Sequence, residues 1–91
     1  MPVKKQRYCV RKFADAMEER LAANDHKDGW EDCDDDYLWG KFIEELSEFQ
    51  RVINKQGNDR KKLREAADLA NIVMMLADNA TWHSHPLKEE E

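Results

Sequence analysis

At 91 residues, 41% hydrophobic and 38% charged, with a formal net charge of −5, the chain has room for one domain and suits neither a disordered tail nor a membrane span. The negative balance argues against a general binder of nucleic-acid polymers, which needs cations clustered over a whole face. A domain of this size buries only roughly 60–65% of the surface its unfolded chain exposes, so its own core is thin and self-association is the natural remedy.

The opening MPVKKQRYCVRK lacks the apolar stretch of a signal peptide, and no run approaches the roughly 20 apolar residues of a transmembrane helix. A cytoplasmic protein without membrane contact is expected. Cys9 and Cys33 stand alone, with no C-x-x-C pair and no His at zinc spacing, so reduced thiols are expected rather than a structural zinc site.

From Arg7 to Ala23, Val10, Phe13, Ala14, Met17 and Leu21 recur at three- and four-residue steps, the stripe of an amphipathic helix. A polar loop containing His26 and Gly29-Trp30 follows, and then an acidic run in which any of Asp34 to Asp36 suits a helix N-cap. The second helix is predicted from about Asp36 to Lys55, with Leu38, Phe42, Leu46, Phe49, Val52 and Ile53 on its apolar face. Gln56-Gly57-Asn58-Asp59 reads as a tight break, with Gly57 in a left-handed conformation after one helix and Asn58 or Asp59 capping the next. The third helix is predicted from about Arg60 to Ala80. Its second half, Ala66 to Ala77, is apolar almost all round, which points to a subunit interface.

The expected architecture is all-α: an antiparallel bundle of three main helices, spanning residues 1–82 and completed by homo-oligomerisation, followed by a polar tail at 83–91. His83 and His85 in that tail lack a third ligand and read as incidental.

Against this pattern, four carboxylates need explaining. On a wheel of about 100° per residue, Glu45 falls between Leu38 and Val52, inside the apolar stripe, where a charge is costly unless paired or bound to metal. Glu48 follows one turn later on the flank of the stripe, and Glu44 lies further round towards solvent. The third helix repeats the arrangement with Glu65 and Asp68, beside Ile72, Met75 and Leu76. A short turn makes the two helices antiparallel, so E-x-x-E faces E-x-x-D. An all-oxygen set without His or Cys suits Mg2+, with Mn2+ as its substitute, rather than zinc, and neither helix carries the Glu-x-x-His pair of a di-iron bundle.

Glu44-Glu45-Leu46-Ser47-Glu48 and Glu65-Ala66-Ala67-Asp68, separated by 16 residues and followed by an apolar continuation, resemble the E-E-x-x-E and E-x-x-D signature of the MazG-like all-α nucleotide pyrophosphohydrolases. The resemblance covers roughly Trp30 to Asn79. It implies hydrolysis of a nucleoside triphosphate, often a deoxy or damaged one, to the monophosphate and pyrophosphate. By motif position it implies Glu45, Glu48, Glu65 and Asp68 as metal ligands and Glu44 as an auxiliary carboxylate that orients water, leaving Glu44 and Glu45 as the candidate catalytic pair.

Lys61, Asn71, Asn79 and Trp30 are candidate substrate contacts. Lys61 lies one turn before Glu65 within the basic run Arg60 to Arg64, in reach of a phosphate. Asn71 and Asn79 sit on the apolar third helix, where amides more often satisfy backbone groups. Trp30 and, with less reason, Trp39 offer a stacking surface for a base. A homodimer or homotetramer is expected, and two other readings stay open: a non-catalytic helical interaction module whose acids form interfacial ion pairs, and a pyrophosphohydrolase acting on a phosphoribosyl nucleotide.

Overall fold

The computed structural model describes residues 5–24, 29–55 and 58–81. Gly57, His26 and the 83–91 tail, and the readings attached to them, lie outside those residues. Among the described residues there are three helices, α1 (Tyr8–Ala23), α2 (Asp35–Asn54) and α3 (Asp59–Asn79), each within a residue of its predicted bounds. None is long and apolar enough to cross a membrane.

Local chemistry accounts for the helix ends. The Asp34 carboxylate accepts from the Tyr37 N–H at 2.8 Å, and Asp35 and Asp36 place further negative charge at the positive end of α2. The Asn58 side chain does the same for α3, accepting from the Lys61 N–H at 2.7 Å. At the far end of α1, the Asn24 N–H closes back onto the Leu21 carbonyl.

α3 is the hub: α1 and α2 each pack along it, and among the described residues they make no contact with one another. The short connection makes α2 antiparallel to α3. α1 runs parallel to α3, since Cys9 and Phe13 flank a shallow groove with Asp59 and Leu63 while Met17 lies beside Asn71. Leu38 and Val52 of α2 and Ile72 of α3 are buried, as are Ala16 and Ala67 on the α1 side. Five buried apolar side chains among the described residues make a thin core, at about 1.5–3 kcal/mol for each of the larger ones.

Each outer helix has a wider apolar stripe than α3 alone can cover. On α2 the line through Leu38, Glu45 and Val52 faces α3, and Leu46 and Ile53 on the flank stay exposed. α1 departs further from its pattern. It turns Phe13, Ala16, Met17 and Arg20 inward, a rotation of roughly 60–70° from the centre of its apolar stripe, and leaves Val10 50% exposed. Two polar contacts described below fix that rotation. On α3 itself, the apolar second half is not enclosed, and Val73 is half exposed.

Ala67 has no exposed surface at all and lies one turn before Asn71, on the side that α1 covers. A larger side chain there must push α1 away. Ala67→Leu is expected to cost about 1–3 kcal/mol, read from the midpoint of urea unfolding.

Candidate metal centre

Glu45 of α2 and Glu65 and Asp68 of α3 converge, each offering an oxygen within 4.8 Å of the others, and all three are half-buried. The α2–α3 seam brings them together, because the two turns of α3 that hold Glu65 and Asp68 lie opposite the middle of α2. Oxygen ligands at about 2.0–2.6 Å from a hard cation stand at most about 4–5 Å apart, so the spacing fits the shell of one divalent ion after small side-chain adjustments. The donor set contains oxygen alone, which matches Mg2+ or Mn2+ and not a thiolate- or imidazole-seeking metal.

Of the four carboxylates in the two motifs, Glu48 stands apart. It is about half exposed and accepts from the Arg51 guanidinium at 3.0 Å, one turn further along the same helix. Its place on the flank of the α2 stripe, away from the Leu38–Val52 line, sets it beside solvent. Glu44 is further out still, with its carboxylate 3.4 Å from the Lys41 ammonium.

A fourth group enters from α1. The Arg20 guanidinium grips Asp68 with two parallel bonds, Nε to Oδ1 at 2.8 Å and Nη2 to Oδ2 at 3.2 Å. Sequence reasoning missed Arg20, which is separated from Asp68 by 48 positions. One signal was available: Arg20 follows Met17 by three residues and Phe13 by seven, so it is a cation on the edge of an apolar stripe. It also sits in the last turn of α1, where the helix dipole favours positive charge.

The charges are unevenly balanced. Arg20 is held above its ordinary range chiefly by the hydrogen bond to Asp68. Glu45 has no such partner among the described residues. Burial first, then the charges of Asp68 and Glu65, hold its carboxyl above the usual glutamate range, and Lys41, one turn earlier, pulls only partly the other way. Glu45 thus carries a charge that its surroundings only partly compensate.

The candidate substrate contacts sit elsewhere. The Asn71 Nδ2 donates to the Met17 carbonyl at 3.1 Å and, with Arg20, sets the rotation of α1. The Asn79 Nδ2 donates to the carbonyls of Trp30 at 3.0 Å and Cys33 at 3.3 Å, clipping the segment before α2 to the end of α3. The Oδ1 atoms of both asparagines are buried with no partner among the described residues. The Trp30 indole donates to the Asp78 carboxylate at 3.0 Å. Asp78 lies ten residues after Asp68, so Trp30 is anchored about 15 Å along α3 from the cluster. Trp39 is 55% exposed and stacks on Phe42, with ring centroids 5.0 Å apart. Lys61 is exposed at the start of α3.

The amides of Asn71 and Asn79 therefore hold the helices and the 30–33 segment in place, a role that their burial within an apolar helix foreshadows. Asn79→Ala is expected to lower stability by about 1–3 kcal/mol and to leave any Mg2+ binding by the carboxylate cluster unchanged, measured by urea unfolding and by calorimetric titration. A weakened Mg2+ affinity in a folded variant would instead place Asn79 at the metal centre.

No family model, curated protein or solved structure matches the chain.

Proposed function

We propose that the chain is a cytoplasmic, Mg2+-dependent nucleotide pyrophosphohydrolase of the MazG-like kind, active as a homodimer or homotetramer on a nucleoside triphosphate. The observation that carries this reading is the convergence of Glu45, Glu65 and Asp68 from two helices, with Glu45 in a half-buried place where, among the described residues, Lys41 only partly offsets its charge.

Glu45, Glu65 and Asp68 would hold the metal, with Glu48 joining them by releasing Arg51. When bound, Mg2+ supplies neutralisation of the phosphates and acidification of a water molecule. Glu44 is exposed, and among the described residues its contact is a long one to Lys41, so it would turn and accept a proton from the attacking water. Lys61, one turn before Glu65, adds a cation for the phosphate chain. A second copy would cover the apolar flanks left open on Val10, Leu46, Ile53 and Val73.

One observation favours a competing reading. The Arg20–Asp68 pair is an interhelical ion pair of the sort expected from a non-catalytic helical module whose acids serve assembly. Pyrophosphate release over a panel of canonical, deoxy and modified nucleoside triphosphates, with and without Mg2+, separates the two. Turnover that requires Mg2+ or Mn2+ supports the enzyme. No turnover on any triphosphate, together with no Mg2+-dependent thermal shift, would overturn it.

A further inference from the structure

Arg20 occupies an unusual position for a surface cation. It reaches from α1, a helix that carries none of the motif carboxylates, and engages both oxygens of Asp68. A guanidinium cannot shed its charge at any physiological pH, so only movement can relieve it of a like-charged neighbour. The three clustered carboxylates carry three formal negative charges, of which Arg20 offsets one and a divalent ion in its place would offset two. A carboxylate offers about four lone-pair positions, and Arg20 takes two of them on Asp68. A metal at the remaining positions would sit close to a fixed positive charge in a half-buried place, where repulsion is weakly screened.

We propose that Arg20 is an exchangeable counter-ion of the carboxylate cluster: it holds Asp68 while the cluster is metal-free, and it turns to the phosphates of the nucleotide when a divalent ion takes its place. The inference rests on the metal centre proposed above and adds a residue from a third helix to it. Arg20 has the means to make the exchange. Its side chain is 31% exposed, its backbone lies in the last turn of α1, and a guanidinium pairs with phosphate by the same two-pronged geometry it uses on Asp68. In the metal-free protein the pair keeps three carboxylates from repelling one another apart. In the loaded protein the same side chain lies next to whatever anion the metal holds, as a positioning residue for the phosphate chain.

The proposal predicts two effects of opposite sign from one substitution. Arg20→Gln, which keeps a polar side chain but shortens it and removes the charge, is expected to bind Mn2+ alone about 10- to 100-fold more tightly than wild type by calorimetry. The same variant, saturated with Mg2+, is expected to bind inorganic tripolyphosphate at least about tenfold more weakly, and Arg20→Lys should lie between wild type and Arg20→Gln in both titrations. A merely structural tie between α1 and α3 would lower stability and move neither affinity. Unchanged or weaker Mn2+ binding by Arg20→Gln, with wild type binding Mn2+ normally, overturns the exchange and leaves the metal centre standing. Wild type that binds no divalent ion overturns both. Should Arg20→Gln fail to fold, the wild-type Arg20 Nε–H resonance in 15N spectra decides. It is expected to shift on Mg2+ addition with the same midpoint as metal binding, and a resonance that stays fixed through metal saturation overturns the exchange.

Discussion

Asp68→Asn is expected to reduce Mg2+-dependent pyrophosphate release by at least about a hundredfold and, in the same variant, to loosen α1 from α3 by about 1–3 kcal/mol. The two effects share one cause. The Asp68 carboxylate belongs to the cluster and is also the anchor of Arg20, at 2.8 and 3.2 Å. Asn keeps the volume and one acceptor oxygen but removes the charge that both partners use. The stability loss is moderate because the pair is only half-buried, between the small value of an exposed ion pair and the larger cost of breaking an enclosed one. Steady-state assays of pyrophosphate release and urea unfolding in the presence of chelator measure the two effects separately. An Asp68→Asn protein with wild-type turnover would remove Asp68 from the metal centre whatever its stability.

Glu45→Gln is expected to abolish turnover to a similar degree and yet to make the metal-free protein more stable at neutral pH. Burial and the neighbouring Asp68 and Glu65 charges raise the folded-state pKa of Glu45 above its unfolded value. The folded chain therefore binds the Glu45 proton more tightly than the unfolded chain does. The favourable contribution is complete at pH below the unfolded value, and it is lost as pH rises from the ordinary glutamate range through the raised folded value. A neutral amide does not suffer that loss. Unfolding free energies measured between pH 4 and 8 in chelator should thus fall less steeply with rising pH in Glu45→Gln than in wild type. Added Mg2+ should stabilise wild type and leave the variant unmoved. Lower stability of Glu45→Gln at pH 7 in chelator would show that Glu45 is paired by a cation rather than strained by burial.

These two residues were also the most readable from sequence. Glu45 betrays itself by falling between Leu38 and Val52 on the wheel, and Asp68 by interrupting an apolar helix, so a one-dimensional pattern suffices for both. The helix bounds were readable for a similar reason, since Asp34 and Asn58 carry the capping chemistry in their own side chains. Glu48 and Arg20 were not, because their positions depend on how a helix is rotated about its axis. Glu48 satisfies the spacing rule on paper but finds Arg51 in its own helix. The α1 pattern points to a face centred on Met17 and Leu21, whereas Ala16 and Arg20 make the approach, drawn by Asp68 and Asn71 on another helix. Periodicity records which side of a helix is apolar, and it holds no information about a bidentate bond to a residue 48 positions away.

The hub arrangement of α3 has a consequence for how the molecule opens. Because α1, among the described helices, touches α3 alone, it can detach without breaking a contact between α2 and α3. The α2–α3 hairpin is held by the buried Leu38, Val52 and Ile72 seam, whereas α1 is held by buried Ala16 and Ala67, half-buried Phe13 and Met17, one guanidinium and one amide. Backbone amides of α1 should accordingly exchange with deuterium by a lower-energy opening than those in the centres of α2 and α3, as a separate cooperative unit. Each such opening uncovers Asp68 while leaving Glu45 and Glu65 in register, so the breathing of one helix sets how often the acidic centre stands without its resident cation.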